Sequence, residues 1–124
     1  MSSGGEPVFD KRDQYEQVVS GLLDGERVLA VYDAIGAGTG FIGLTGLRVI
    51  VQDKSFVGKK TALVSLPYAK IHSVAVLSNK SWGGSFFSTS SIAITSGSHV
   101  HEVEFRGHQK AHHVHNVILW HITR

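Results

Sequence analysis

The feature that most constrains this fold is a set of seven short runs with a two-residue period, each bounded by turn signals. The runs are rich in Val, Ile and Leu, and Gly, Asn or Asp separates most of them, which is the pattern of β-strands. The links are too short for crossover helices, so the pattern predicts antiparallel hairpins and not βαβ units. The runs read ERVLAVYDAIG, GFIGLT, LRVIVQD, TALVSLP, IHSVAVLSN, SSIAITSG and VHEVEFRG.

A helical period flanks the strands on both sides. The N-terminal stretch predicts an amphipathic helix that is capped by Asp10 and ends near residues 22–23. Its apolar positions are Tyr15, Val18, Val19 and Leu22. The C-terminal stretch predicts a helix lying on a sheet, with apolar positions Ala111, Val114, Ile118 and Ile122. Residues 1–9 are expected to be a flexible N-terminus and residues 10–124 to form a single domain, since 124 residues suffice for one core.

Residues 38–43 match the spacing of a dinucleotide-binding fingerprint, G-x-G-x-x-G. That site needs a helix after the glycines, because the helix N-terminus holds the pyrophosphate. Here a β-patterned segment follows, and Thr61-Ala62-Leu63 stands where an acidic residue would bind the ribose. The glycines are therefore predicted to form a hairpin turn, with Gly43 allowing close backbone approach inside a strand.

Composition excludes several classes of function. The chain has no cysteine, so it has neither a thiolate metal site nor a cysteine nucleophile. A net charge of +2 is too small to indicate a nucleic-acid partner. The N-terminus lacks the apolar core of a signal peptide and no apolar run is long enough for a membrane span, so we expect a cytoplasmic protein. No serine lies in a nucleophile elbow, so neither enzymatic activity nor a cofactor is predicted.

Four short motifs lie between residues 24 and 78: Gly25-Glu26, Leu44-Thr45-x-x-Arg48-Val49-Ile50, Gly58-Lys59-Lys60 and Leu66-Pro67-Tyr68-x-Lys70-Ile71. Together they resemble the bacterial pleckstrin-homology-like (bacterial PH) domain family. The resemblance implies a mainly β (α+β) fold, a bent seven-stranded antiparallel barrel or sandwich with a C-terminal capping helix. The N-terminal helix would be an addition to that fold.

The resemblance directs attention to the first hairpin, where eukaryotic relatives bind phosphoinositides. Such a site needs several Lys or Arg side chains converging on phosphates, and the corresponding loop here, DAIGAGTG, contains none. Lys54, Lys59 and Lys60 are candidates for a small basic rim on the neighbouring turn, the alternative being ordinary solvated charge. A peripheral membrane or ligand-binding adaptor is therefore the alternative function.

Eight histidines are a second unusual feature of the sequence. His99 and His101 share one face of a strand, and His108, His112 and His115 share one face of a helix. Imidazoles at these spacings bind zinc or nickel if a further ligand converges on them. The favoured interpretation is a set of half-exposed histidines beside an apolar stripe, which leaves histidine-based metal binding as a third candidate function.

Four aromatic residues stand outside the apolar patterns. Trp82, Phe86 and Phe87 lie in the long loop 79–89, and Trp120 projects away from the apolar face of the C-terminal helix. Exposed aromatic residues indicate self-association or a protein partner, unless the loop folds back and the N-terminal helix covers Trp120. The leading prediction is a non-enzymatic PH-like interaction module that assembles with itself or binds another protein. The similar bacterial families suggest ring or multimeric assemblies.

Overall fold

The computed structural model describes residues 6–36, 38–54, 61–79 and 89–124. Its strands are β1 (Val8–Phe9), β2 (Val28–Asp33), β3 (Thr39–Thr45), β4 (Arg48–Asp53), β5 (Ala62–Pro67), β6 (Ser73–Asn79), β7 (Thr89–Ser96) and β8 (His99–Arg106). Its helices are α1 (Arg12–Ser20) and α2 (Gln109–Ile122), and a short 3-10 turn, Tyr68–Lys70, leads from β5 to β6. The seven predicted strands and both helices are therefore present, and β1 is an additional strand.

The strands form two sheets. β1 to β5 make a five-stranded sheet in chain order, and β6 to β8 make a three-stranded sheet. The seven predicted strands pair antiparallel within their sheets, whereas β1 pairs parallel to β2. The predicted mainly β sandwich with a C-terminal helix and an extra N-terminal helix is confirmed.

Closure of the strands into a barrel is not confirmed. After β5 the chain passes through the 3-10 turn, and β6 then pairs with β7 instead of extending the first sheet. An isolated antiparallel bridge between Ile35 and Glu104 links the two sheets at one corner. The architecture is thus a sandwich of two sheets that stay separate.

The main core lies between the two sheets and beneath α2. Ile42, Leu44, Ile92, Ile94 and Phe105 are among its fully buried side chains. The predicted apolar face of α2 packs against this core: Ala111, Val114 and Ile118 are buried, and Ile122 is half-buried. No helix in the described ranges is both long and apolar enough to cross a membrane.

A second, smaller cluster covers the opposite face of the five-stranded sheet. Val18 of α1 packs there with Val31, Phe41 and Ile50, so the first sheet is buried on both faces. This explains why β3 is buried from Gly40 to Thr45 without the alternation of a half-exposed strand.

The N-terminal elements differ from the sequence prediction in two respects. Val8 and Phe9 pair with Ala30 and Val31, so regular structure begins before residue 10. Asp10 does not cap α1, because Lys11 is the N-cap residue and makes no side-chain capping bond. The Asp10 carboxylate instead accepts hydrogen bonds from the Asp33 backbone N–H and from Lys110 Nζ, both at 2.9 Å.

Candidate functional site

The glycine-rich turn between β2 and β3 borders two adjoining shallow cavities. Each has a volume of about 190 Å³. Gly38, Thr39 and Glu102 line both cavities; Glu104 adds a carboxylate to one, and Asp53 adds a carboxylate to the other. Because carboxylates repel phosphates, this part of the surface does not suit an anionic headgroup.

The glycines of this motif serve the backbone, as the sequence predicted. Gly36 has φ 95°, a conformation that side chains disfavour. Gly43 lies in β3, where a Cβ would stand 3.0 Å from Cγ2 of Val18. Gly43 therefore lets α1 pack closely on the sheet, and no phosphate-binding helix follows it.

Of the three lysines predicted to form a basic rim, one lies among the residues that the structure describes. Lys54 is exposed directly after β4, and its backbone N–H donates to the Gly38 carbonyl at 2.8 Å. It therefore stands beside the cavities that the carboxylates line. Lys59 and Lys60 lie outside the described residues, as do the predicted interaction residues Trp82, Phe86 and Phe87.

The five histidines proposed as metal ligands lie in two separate places. The rings of His99 and His101 are 6.3 Å apart on β8. His108, His112 and His115 lie at the start of α2 and along it, with His115 Nδ1 3.0 Å from Asn116 Oδ1. Within the described ranges, no group of three or more His, Cys, Asp or Glu side chains is arranged to hold a metal ion.

Two other histidines, which the sequence analysis did not select, attach α2 to the five-stranded half of the molecule. His113 Nδ1 lies 2.7 Å from the hydroxyl of Tyr32. The ring of His121 stacks on Tyr68 with 4.1 Å between centroids. Burial, with a smaller effect of the Asp10 charge, raises the pKa of Tyr32. In the sequence, nothing about the positions of His113 and His121 along the helix distinguishes them from the other histidines.

A buried polar network joins the start of β2 to the turn between β3 and β4. Arg48 donates to Glu26 twice, from Nε to Oε2 at 2.8 Å and from Nη2 to Oε1 at 2.9 Å. The Thr45 hydroxyl donates to Glu26 Oε2 at 2.7 Å, and the Leu23 backbone N–H donates to Oε1 at 2.9 Å. Each carboxylate oxygen of Glu26 therefore accepts two hydrogen bonds, which is its full capacity.

The same network extends to Tyr68, which belongs to another of the motifs that carried the family resemblance. The Tyr68 hydroxyl donates to the Thr45 carbonyl at 2.7 Å, and burial raises the pKa of this tyrosine. The hydrogen bond from Arg48 lowers the pKa of Glu26 to about 2, against the opposing effect of desolvation. Glu26, Thr45, Arg48 and Tyr68 thus form one structural unit, which was not evident from their separation in the sequence.

Three exposed apolar residues are linked to this network through backbone hydrogen bonds or through the ring of His121. Trp120 is 42% exposed, with the Arg124 guanidinium 4.4 Å from its ring centroid. The next residue after Trp120, His121, stacks on the ring of Tyr68. The backbone N–H of Tyr68 in turn donates to the Leu47 carbonyl at 3.5 Å. Leu47 is 51% exposed. Leu23, whose backbone N–H donates to Glu26, is 61% exposed. We call Leu23, Leu47 and Trp120 the Trp120 surface.

Comparisons with known proteins agree with the architecture. No family model and no curated protein sequence matches the chain. The structure is similar to the crystal structure of a pleckstrin homology domain from Shewanella amazonensis SB2B. Sequence identity is 19% and the TM-score is 0.67, over 93% of this chain and 100% of that one.

A second similar structure is a DUF1696 family protein with a pleckstrin-homology domain from Shewanella loihica PV-4. It shares 21% identity with a TM-score of 0.60, over 91% of this chain and 94% of that one. At these identities the likeness concerns the fold, so the resemblance of the four motifs to bacterial PH-like domains is confirmed at that level. The chain has a pleckstrin-homology fold.

Proposed function

We propose that this protein is a non-enzymatic PH-like module that binds protein, in the first place copies of itself, through the Trp120 surface. The observation that supports this proposal is the exposure of an aromatic ring and of two leucines that are linked to the same ordered network. Trp and Arg are enriched among the residues that contribute most to binding energy at protein interfaces. Trp120 and Arg124 stand together at this surface, with the ring of His121 4.9 Å from the tryptophan.

The rigidity of the base favours binding, because little side-chain freedom is lost on association. His121 is fixed between the Val117 carbonyl, 2.7 Å from its Nδ1, and the stacked ring of Tyr68. The network around Glu26 holds the backbone of Leu23 and orients the turn that carries Leu47. The exposed apolar side chains are therefore presented on ordered structure.

The polar groups beneath this surface favour a structural role over a catalytic one. Glu26 accepts four hydrogen bonds and its pKa is lowered to about 2. A general base works best with a pKa near the operating pH and with access to a substrate proton. A saturated, buried carboxylate has neither property, so Glu26 serves the fold.

The peripheral membrane alternative has less support from the described residues. The cavities at the first hairpin carry carboxylates from Asp53, Glu102 and Glu104, and these repel an anionic headgroup. Flotation with vesicles of phosphatidylcholine and phosphatidylserine separates the two functions. Binding that rises with phosphatidylserine content would favour the membrane adaptor.

The decisive experiment is the mass of the untagged protein in solution by light scattering across a range of concentrations. We expect an assembly larger than one chain of 13.4 kDa, and we expect its mass to fall in the Trp120→Ala variant. The matched control is Val100→Ala, at an exposed apolar residue that lines a cavity at the first hairpin. A monomer at every concentration would overturn self-association, and a mass that is unchanged in Trp120→Ala would overturn this choice of surface.

A further inference from the structure

β6 is an edge strand without the usual protection against pairing. It pairs with β7 in an unbroken antiparallel register from Ser73 opposite Thr95 to Asn79 opposite Thr89. In the described part of the chain no strand is paired with its other edge. Natural edge strands are usually interrupted by a charge, a proline or a bulge. The sequence of β6, SVAVLSN, contains no charge and no proline, and its register has no bulge.

The side chains of β6 divide between the core and the solvent. Val74 and Val76 are half-buried and pack against the main core. Ala75 is exposed on the other face, and Leu77 is 44% exposed. A partner strand would therefore extend an apolar inner row and also cover an exposed leucine.

A strand that fits this edge is β6 of a second copy. Antiparallel pairing about Val76 places each Val76 opposite the other and Ala75 opposite Leu77 of the second copy. β7, the neighbouring strand, also contains no charged residue, so neither strand places like charges within the stretch from Ser73 to Asn79. A two-fold arrangement of this kind closes on itself.

We propose that two copies pair through antiparallel β6 strands centred on Val76, which joins their three-stranded sheets into one sheet of six strands. This inference rests on the self-association in the proposed function and adds a second contact, separate from the Trp120 surface. Because the two contacts involve different residues, an assembly that uses both can exceed two chains. Their contributions can be measured independently.

Cross-linking tests the register directly, because the natural chain has no cysteine. Opposed residues of an antiparallel pair have Cα atoms about 4.5 to 5.5 Å apart, within the range that a disulfide spans. Under mild oxidation, Val76→Cys should give a covalent dimer. Ala75→Cys and Leu77→Cys should each stay monomeric on denaturing gels when alone, and they should cross-link when mixed. Self-cross-linking at position 75 or 77 without any at 76 would overturn the proposal.

A pair of charge variants tests the contact without cysteine chemistry. In Ala75→Lys/Leu77→Lys the introduced lysines face each other across the two-fold axis, and like charges directly opposite destabilise strand pairs. In Ala75→Lys/Leu77→Glu each introduced lysine faces an introduced glutamate. Light scattering should show loss of the β6 contact in the first variant and its retention in the second, and equal masses for the two would contradict the proposal. Circular dichroism melting verifies that both are folded.

The outcomes separate this inference from the proposed function. Assembly in the wild type without cross-linking through Val76→Cys would overturn the β6 contact alone. A wild-type assembly whose mass is unchanged in Trp120→Ala but which dissociates in Ala75→Lys/Leu77→Lys would support the β6 contact and overturn the choice of the Trp120 surface. A wild-type monomer that forms no cross-link through Val76→Cys would overturn both.

Discussion

Arg48 and Glu26 form a two-point ion pair in which the carboxylate side chain has no exposed surface, whereas the arginine side chain is 19% exposed. The pair connects the segment just before β2 to the first residue of β4, and Arg48 also donates from Nη2 to the Gly21 carbonyl at 2.8 Å. The end of α1, the first long strand and a tight turn therefore depend on one arginine. Removing either charge leaves its partner without compensation in a largely dry site.

Glu26→Ala should lower the free energy of unfolding by about 3 to 5 kcal/mol, as expected when one partner of a buried ion pair is removed. Urea denaturation measures the change. Asp24→Ala is the matched control, because Asp24 is an exposed acid two residues away and its loss should cost less than about 0.5 kcal/mol. Equal effects of the two substitutions would contradict a structural role for the pair.

The stability of the protein should fall in acid because of the same carboxylate. The pKa of Glu26 is lowered from 4.5 to about 2 in the folded state, chiefly by the hydrogen bond from Arg48. Its contribution is therefore present above pH 4.5 and is lost as the pH falls towards 2. Unfolding free energies measured over this range should decline more steeply for the wild type than for Glu26→Gln. Parallel curves for the two proteins would show that Glu26 does not cause the decline.

Gly43→Val should loosen α1 from the sheet. A Cβ at Gly43 would already stand 3.0 Å from Val18 Cγ2, and overpacking of this kind costs about 1 to 3 kcal/mol. Hydrogen exchange should be faster in α1, and denaturation should give the loss of stability. Gly38→Ala is the control, since nothing lies within 4 Å of the added atom there.

The cause of the Gly43→Val effect can be tested by making room for the new side chain. Adding Val18→Ala should recover part of the stability that Gly43→Val loses, because the two residues share one contact. The sum of the single effects would then exceed the effect of the double variant. Simple additivity would show that the contact with Val18 is not the cause.

Tyr32→Phe should cost about 1 kcal/mol, the usual contribution of one hydrogen bond. The hydroxyl that it removes lies 2.7 Å from His113 Nδ1 on α2. Thermal or urea denaturation should give the difference, with Tyr15→Phe beside it. The Tyr15 ring stacks on Phe9 at 4.5 Å, a contact that phenylalanine keeps, so this control should change stability little. Losses of the same size would argue against the bond to His113.

The strands and α2 could be predicted because their signals are local. A two-residue period and a turn residue lie within a few positions of each other, and a helical face repeats within four. β1 could not be predicted in this way, since two residues show no period and its parallel partner lies more than 20 residues away. Asp10 was misassigned for a similar reason, because its partners Asp33 and Lys110 are distant in sequence.

The candidate site could be predicted only in part. The exposure of Trp120 follows from its angular position on α2, but the link of Leu23 and Leu47 to the network around Glu26 depends on tertiary contacts. The separation of the sheets was also beyond local patterns, because both an open sandwich and a barrel are built from strands with the same alternation. The motifs that resembled a family marked Glu26 and Arg48, yet their pairing became visible only in the folded chain.

The cluster on the outer face of the first sheet consists of Val18, Val31, Phe41 and Ile50, all supplied by the first 50 residues. The main core needs α2, which follows all the strands in the chain and therefore leaves the ribosome after them. During synthesis the outer cluster can therefore assemble while the chain is still growing. α1 then shields one side of the nascent sheet, and the other side stays open until the C-terminal helix arrives.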